Sequence, residues 1–157
     1  MKLIKLEIGA GTRPTAGYEH LDIVPGEHIE IVADARKVPL PDMSCSEVYA
    51  HWVLEHFAEK ELVNVLTEWK RVLIERGKIR IVTSNQKSIN ECLTSQQINW
   101  ARWVWLTYGS KADHKVGFSP DSIPSYFEKA GFKDIKVEST WGCENDGCPG
   151  IIVEAIK

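Results

Sequence analysis

Apolar and polar positions along this chain follow two different periods, and the period switches several times. Leu3 to Ile8 is a short apolar run interrupted by Lys5 and Glu7 and ending in Gly9-Ala10-Gly11, which predicts a strand running into a tight turn. Tyr18 to Ile23, Ile29 to Val32 and Glu47 to Val53 are further short strand candidates. From Glu59 the spacing becomes helical. Leu62, Val65, Leu66, Trp69, Val72 and Leu73 recur three and four residues apart with charges between them, an amphipathic helix that Gly77 is expected to stop. Lys78 to Thr83 then reads as a buried strand. Ser119-Pro120 is expected to cap a helix carrying Ile123, Tyr126, Phe127 and Ala130 and ended by Gly131. Phe132 to Glu138 and Ile151 to Ile156 follow as strands, the last antiparallel to its predecessor.

Strands alternating with helices point to an α/β fold, and 157 residues amount to one domain, residues 1–157. A core of that size needs no staples: roughly two thirds of the unfolded chain's surface can be buried. With 43% hydrophobic and 26% charged residues the composition is ordinary for a globular protein. A net charge of −3, with Lys and Arg scattered, gives no basic field or aromatic-lined stripe, so nucleic acid is not expected as a partner. No apolar run is long enough for a membrane span or a secretion signal, and the expectation is a cytoplasmic protein. Cys143 and Cys148 are close in sequence but lack nearby ligands to complete a zinc site, so they read as reduced thiols in a hairpin loop and no metal is expected.

Chemistry concentrates where the early strands end. Glycines after a first strand let a ligand approach the backbone, and in open α/β sheets ligands gather at that edge. Gly9 and Gly11 alone are a weak signal. The third glycine of the dinucleotide fingerprint is missing, and Asp22 follows Gly11 by 11 residues where that fingerprint expects about 20, which argues against a nicotinamide cofactor. Asp22 and Asp34 each follow a predicted strand. A carboxylate in the first position can accept both hydroxyls of a ribose, and one in the second can accept from an exocyclic amine; each alone also fits an ordinary turn residue.

Together these blocks resemble the class I S-adenosylmethionine-dependent methyltransferases, specifically the small type 11 group. Leu6-Glu7-Ile8-Gly9-Ala10-Gly11 is similar to its glycine motif, Asp22 to its ribose-binding acid and Asp34-Ala35-Arg36 to its adenine-contacting turn. Val38 to Asp42 with Glu47 to Phe57 looks like its loop and fourth strand, and Glu68 to Leu73 with Gly77 to Val82 like its helix and fifth strand. Gly117-Phe118-Ser119 and Ala130-Gly131-Phe132 resemble the late helix and strand. The resemblance implies a Rossmann-like, mostly parallel sheet with an antiparallel C-terminal strand. It implies S-adenosylmethionine as cofactor, held by Glu7, Gly9, Ala10, Gly11, Asp22, Ile23, Asp34, Ala35 and His51. It further implies methyl transfer to an O or N of a small acceptor, with His51 and His114 as candidate bases and His56, Trp103 and Tyr108 as acceptor contacts.

The chain departs from that pattern in three places. Thr12 to Tyr18 is too short for the usual first crossover helix, which must be reduced or absent. Ile74-Glu75-Arg76-Gly77 replaces a Lys-Pro-Gly-Gly turn, and Met1 stands almost on the first strand, leaving no N-terminal capping helices. A helical aromatic insertion at about 84–117 carries Trp100, Trp103, Trp105 and Tyr108. It reads as a lid, as the contact of a homodimer, or as a core helix filling the space of the missing one. A rival from another class is a catalytically inactive cofactor-binding or scaffold protein that partners a methyltransferase.

Overall fold

The structure is a computed structural model, and it describes residues 3–140 and 148–157. Its centre is a seven-stranded sheet in the order β3-β2-β1-β4-β5-β7-β6. The strands are β1 (Ile4–Ile8), β2 (Glu19–Asp22), β3 (Ile31–Val32), β4 (Cys45–His51), β5 (Leu73–Ser84), β6 (Lys133–Thr140) and β7 (Gly150–Ile156). The first five pair in parallel, while β7 runs antiparallel to both β5 and β6. This is the expected Rossmann-like sheet with its antiparallel C-terminal strand.

The helices are α1 (Leu62–Val72), α2 (Gln86–Thr94), α3 (Trp100–Tyr108) and α4 (Pro124–Lys129), with 3-10 turns at Leu54–His56 and Glu59–Glu61. The helical spacing read from the sequence is the buried stripe of α1: Leu62, Val65, Leu66, Trp69 and Val72. With Phe127 of α4 it packs on one face of the sheet, against Leu6, Ile8, Val48, Ile79, Ile81 and Val153. Each such side chain contributes about 1.5–3 kcal/mol by leaving water. The Trp69 indole N–H donates to the Ala35 carbonyl at 2.9 Å, tying the helix to the turn after β3.

Two helix limits differ from the expectation. Helix α1 ends at Val72 rather than Gly77, because the amides of Met43 and Ser44 take the carbonyls of Arg71 and Val72 at 3.1 and 2.9 Å and close its end. Leu73 then pairs with Cys45, while Glu47 pairs with Lys78; the intervening residues bulge out around Arg76, whose φ is 62°. Ser119 caps only a turn, accepting the Ser122 amide at 3.2 Å. Pro124, which has no amide to continue that ladder, starts α4 at its first helical position.

The sheet's two faces are unlike. The second face presents Lys5 and Glu7 of β1, Glu47 and Tyr49 of β4, Lys78 and Arg80 of β5 and Glu154 of β7, the alternate positions to the core residues. Lys5 pairs with Glu47 at 2.9 Å, Arg80 lies 5.5 Å from the Tyr49 ring centre, and the Tyr18 hydroxyl donates to Glu47. This is the side that a crossover helix between β1 and β2 would cover. None forms between β1 and β2; the chain crosses as a loop whose Thr15 amide and hydroxyl both donate to Glu7 at 2.7 Å.

Candidate active site at the carboxyl edge of the sheet

A cavity of about 430 Å³ opens at the carboxyl ends of β1, β2 and β4. A larger depression of about 640 Å³ lies on the charged second face, lined by Glu47, Lys78, Arg80, Lys136 and Glu154. The smaller one carries the argument, because in open α/β sheets ligands sit outside the carboxyl ends of the strands. Gly9, Asp22, Ile23, Asp34, Ala35 and Arg36 line one end of it, and Trp52, Val53, His56, Phe57, Asp113 and Lys115 the other.

The first end is shaped by backbone. Gly9 has a φ of 72°, and a Cβ there would stand 2.3 Å from Val53 Cγ2. Only glycine lets β1 turn down beneath the strand-end loop of β4. The amides of Gly9 and Ala10 both donate to the Leu21 carbonyl, at 2.7 and 3.3 Å, folding the turn onto β2. Asp22 closes it: Oδ2 accepts the Gly11 amide and Oδ1 the Val24 amide, both at 2.9 Å. Asp34 accepts the Arg36 amide at 2.8 Å and meets its guanidinium at 3.2 Å, while the same guanidinium reaches Glu61 at 2.9 Å and covers Phe57.

The other end is made of side chains brought together from distant segments. Trp52, directly after β4, has a φ of 56°, a conformation bulky residues rarely adopt, and its buried indole N–H has no partner among the described residues. Beyond it opens a second chamber of about 200 Å³, lined by Trp52, His56, Trp105, Leu106, Gly109, Ser110, Asp113, His114 and Cys148. Trp52, His56 and Asp113 stand between the two chambers.

Glu55 is wholly buried under that wall. Its Oε2 accepts the Thr83 hydroxyl at 2.9 Å and its carbonyl takes the Lys115 amide at 2.8 Å, but Oε1 has no partner among the described residues. Burial pushes this carboxyl up to about 7. The rings of His56 and His114 meet edge to face with centres 5.0 Å apart, and His56 Nδ1 faces Asp113 Oδ2 at 3.5 Å. Burial, then neighbouring His56, hold His114 below the ordinary histidine value. Its buried Nδ1 has no hydrogen-bond partner among the described residues.

Residues 6–81 match the family model described as a methyltransferase domain. Solved structures repeat the whole topology. A SAM-dependent methyltransferase from Archaeoglobus fulgidus superposes with a TM-score of 0.70 at 18% identity, over 97% of this chain and 85% of that one. The chain has the class I S-adenosylmethionine-dependent methyltransferase fold. Another structure with this fold, from Thermotoga maritima and described as a possible histamine N-methyltransferase, superposes with a TM-score of 0.70 at 16% identity, over all of this chain and 83% of that one. The Haemonchus contortus phosphoethanolamine N-methyltransferase 2, in complex with S-adenosyl-L-methionine, does so with a TM-score of 0.62 at 14% identity, over all of this chain and 49% of that one. Among curated protein sequences none matches.

Placed on this class I fold, Gly9, Asp22, Ile23, Asp34 and Ala35 come together in one wall, and His56 stands opposite. His114 is in the second chamber. Ala10 and Gly11 belong to the turn behind the wall and do not line the cavity. Glu7 does not line it either; it holds Thr15 and lies 3.5 Å from His20. His51 stacks on Tyr49, ring centres 6.2 Å apart, outside both chambers. Trp103 donates to Asn90 at 2.8 Å and stacks on Trp100, and Tyr108 lies beside it, so neither lines a chamber. Sequence reasoning missed Trp52, Asp113, Lys115 and Trp105 as wall residues. Only Trp105 carried a signal, as part of the aromatic insertion.

That insertion is a helical pair, α2 and α3, with its own small cluster of Ile89, Leu106 and Cys148. Leu106 is the buried residue of α3, while Trp100, Trp105 and Tyr108 are 45–63% exposed, so it does not refill the main core as a core helix would. Cys143 lies outside the described residues. No helix among the described residues is long and apolar enough to cross a membrane.

Proposed function

We propose that the protein binds S-adenosylmethionine in the 430 Å³ cavity and transfers its methyl to an O or N of a small acceptor held in the adjoining chamber. The observation that carries this reading is the joint placement of Gly9, Asp22 and Asp34 in one wall at the carboxyl edge of a sheet with this strand order. The wall fits the cofactor. Asp22 uses one lone pair of each oxygen on backbone amides and keeps others for ribose hydroxyls, Asp34 can accept from the adenine amine, and Ile23 and Ala35 offer apolar surface to the base. Glu7 acts as a positioning residue through Thr15, by fixing the loop behind the glycine turn.

When bound, the cofactor supplies a methyl already activated on a sulfonium. The chain's own work is then to align an acceptor, exclude water and accept a proton. Trp52 stands at the boundary of the two chambers, where an acceptor would face the methyl. His114 lines the second chamber with Trp105 and Leu106 and is the candidate base for an acceptor held there. Among the similar structures, one described as a possible histamine N-methyltransferase and one described as a phosphoethanolamine N-methyltransferase fit an acceptor that must shed a proton.

The test is release of S-adenosylhomocysteine from S-adenosylmethionine with a panel of small amines and phenols, repeated with His114→Ala. Turnover that falls in the variant while calorimetric cofactor affinity is unchanged supports the reading. A protein that binds cofactor and never releases S-adenosylhomocysteine is instead the scaffold type. The uncovered charged sheet face and the exposed aromatic residues of α3 favour that second reading, since both offer surface to a partner chain.

A further inference from the structure

Beneath the wall between the chambers, Glu55, His56 and His114 each offer one ligand atom, a carboxylate oxygen and two ring nitrogens, all within 4.8 Å of one another. Two of these groups have unmet bonding capacity where water does not reach. Glu55 is 0% exposed, and with Oε2 taken by Thr83 its Oε1 has no partner among the described residues. His114 Nδ1 is likewise buried and unpartnered among them. A buried polar atom without a partner is costly, so two such atoms on neighbouring residues of one cluster call for a ligand to satisfy them.

We propose that Glu55, His56 and His114 bind a divalent transition-metal ion of the zinc or cobalt class, with its open coordination position toward the second chamber. Two imidazoles and one carboxylate form a donor set that zinc uses where a fourth position is left for water or substrate. Nitrogen ligands favour this class over magnesium or calcium. The outer contacts fit as well. Asp113 Oδ2 lies 3.5 Å from His56 Nδ1, an acidic neighbour of the kind that orients a ligating imidazole. Bonds of roughly 2.1 Å in a tetrahedron put ligand atoms about 3.4 Å apart, so the three must draw inward on binding. His56, whose side chain is 37% exposed, has room to turn. In sequence the site is invisible: Glu55-His56 and His114 are separated by α1, β5, α2 and α3, and neither segment has the local spacing of a zinc motif.

The ion goes beyond the methyl-transfer reading and does not depend on it. In the loaded protein it would engage the His114 imidazole that otherwise serves as the candidate base. The test is titration of the chelator-treated protein with Co²⁺, followed by visible absorption in the absence of cofactor. A saturable band at one equivalent, displaced by Zn²⁺, is expected. It should be lost in His56→Ala, a half-exposed position that ought to fold, and in Glu55→Gln if circular dichroism shows that variant folded. Asp113→Asn should weaken binding about 10- to 100-fold, as loss of an orienting partner does. No saturable band in the wild type, or a band unchanged in His56→Ala, overturns the proposal. Because the titration uses no cofactor, its failure leaves the methyltransferase reading intact, and absent methyl transfer leaves the ion site intact.

Discussion

The two ends of the central cavity are built by different means. At the Gly9 end the wall is made by backbone turns of β1, β2 and β3, within the first 36 residues, and its carboxylates Asp22 and Asp34 are fixed by amides of their own or the neighbouring turn. At the His114 end it is made by side chains from after β4, from the end of α3 and from the loop beyond, meeting across long sequence separations. A wall of the first kind tolerates few substitutions because the chain path itself is at stake. One of the second kind can change its lining without disturbing the sheet, which suits a scaffold that keeps one cofactor and varies its acceptor.

The sharpest way to break this contrast is to put a side chain on Gly9. A Cβ there meets Val53 Cγ2 at 2.3 Å on a backbone with φ 72°, so Gly9→Val must strain the fold itself and not only block a ligand's path. Overpacking of about 1–3 kcal/mol and a left-handed conformation costing a β-branched residue roughly 1–2 kcal/mol more should both appear in denaturant unfolding. Cofactor binding should vanish with it. Pairing the change with Val53→Ala should recover part of the stability. A Gly9→Val protein as stable as the parent would mean that this end is not set by the chain path.

Next in size is Asp22→Ala, which should weaken S-adenosylmethionine binding by about 1–3 kcal/mol, the scale of a charge-assisted hydrogen-bond site. Calorimetry on the folded variant decides it, and unchanged affinity removes Asp22 from the site. Part of the loss should come through the turn, because the same carboxylate holds the Gly11 and Val24 amides.

The same contrast explains what the sequence makes legible. Most strands, the α1 stripe and Gly9, Asp22 and Asp34 were readable because each is a local pattern: a period, or a residue type at a strand end. The helix limits were not. What ends α1 at Val72 is the pair of amides from Met43 and Ser44, almost thirty residues earlier, a contact that no local signal at Gly77 reports. The charged second face was half legible. Lys78 and Arg80 alternating with Ile79 and Ile81 spell a strand with one wet face, although the segment reads as buried until the absence of a crossover helix is joined to it. At the His56 end Trp52, Asp113 and Lys115 carried no signal, since a wall residue on an irregular segment is defined by what folds opposite it.

A smaller effect probes the acceptor end through its aromatic helix. Trp105 lines the second chamber, whereas Trp100 and Trp103 stack on each other at 4.7 Å and lie outside it. If α3 closes over a bound acceptor, ligand should change tryptophan emission in the parent and in Trp100→Phe, and the change should shrink in Trp105→Phe. Amide exchange across α2 and α3 should slow at the same time. Emission and exchange indifferent to ligand would make α3 a fixed wall or a contact between two copies of the chain.

The smallest expected effect lies in the loop that replaces the first crossover helix. His20 is almost buried and joins three parts of that loop: its ring nitrogens lie 3.0 Å from the Thr15 carbonyl and 3.0 Å from Glu30, with Glu7 at 3.5 Å. Burial by itself lowers the histidine pKa, but the Thr15, Glu30 and Glu7 contacts together outweigh it, and the folded value is raised. A raised value means the folded state holds its proton more tightly than the unfolded chain. The stability this adds is therefore complete below the ordinary histidine range near 6.5 and is lost as pH rises through the folded value. Unfolding of the parent measured between mildly acidic and mildly alkaline pH should show that decline, and His20→Gln should flatten it. Because Glu7 also fixes Thr15, the loss should loosen the loop from Thr12 to Tyr18 and leave the β1 turn at Gly9, held by the Leu21 carbonyl, in place. A pH slope that persists in His20→Gln would assign the dependence to other groups and make the loop a passive crossover.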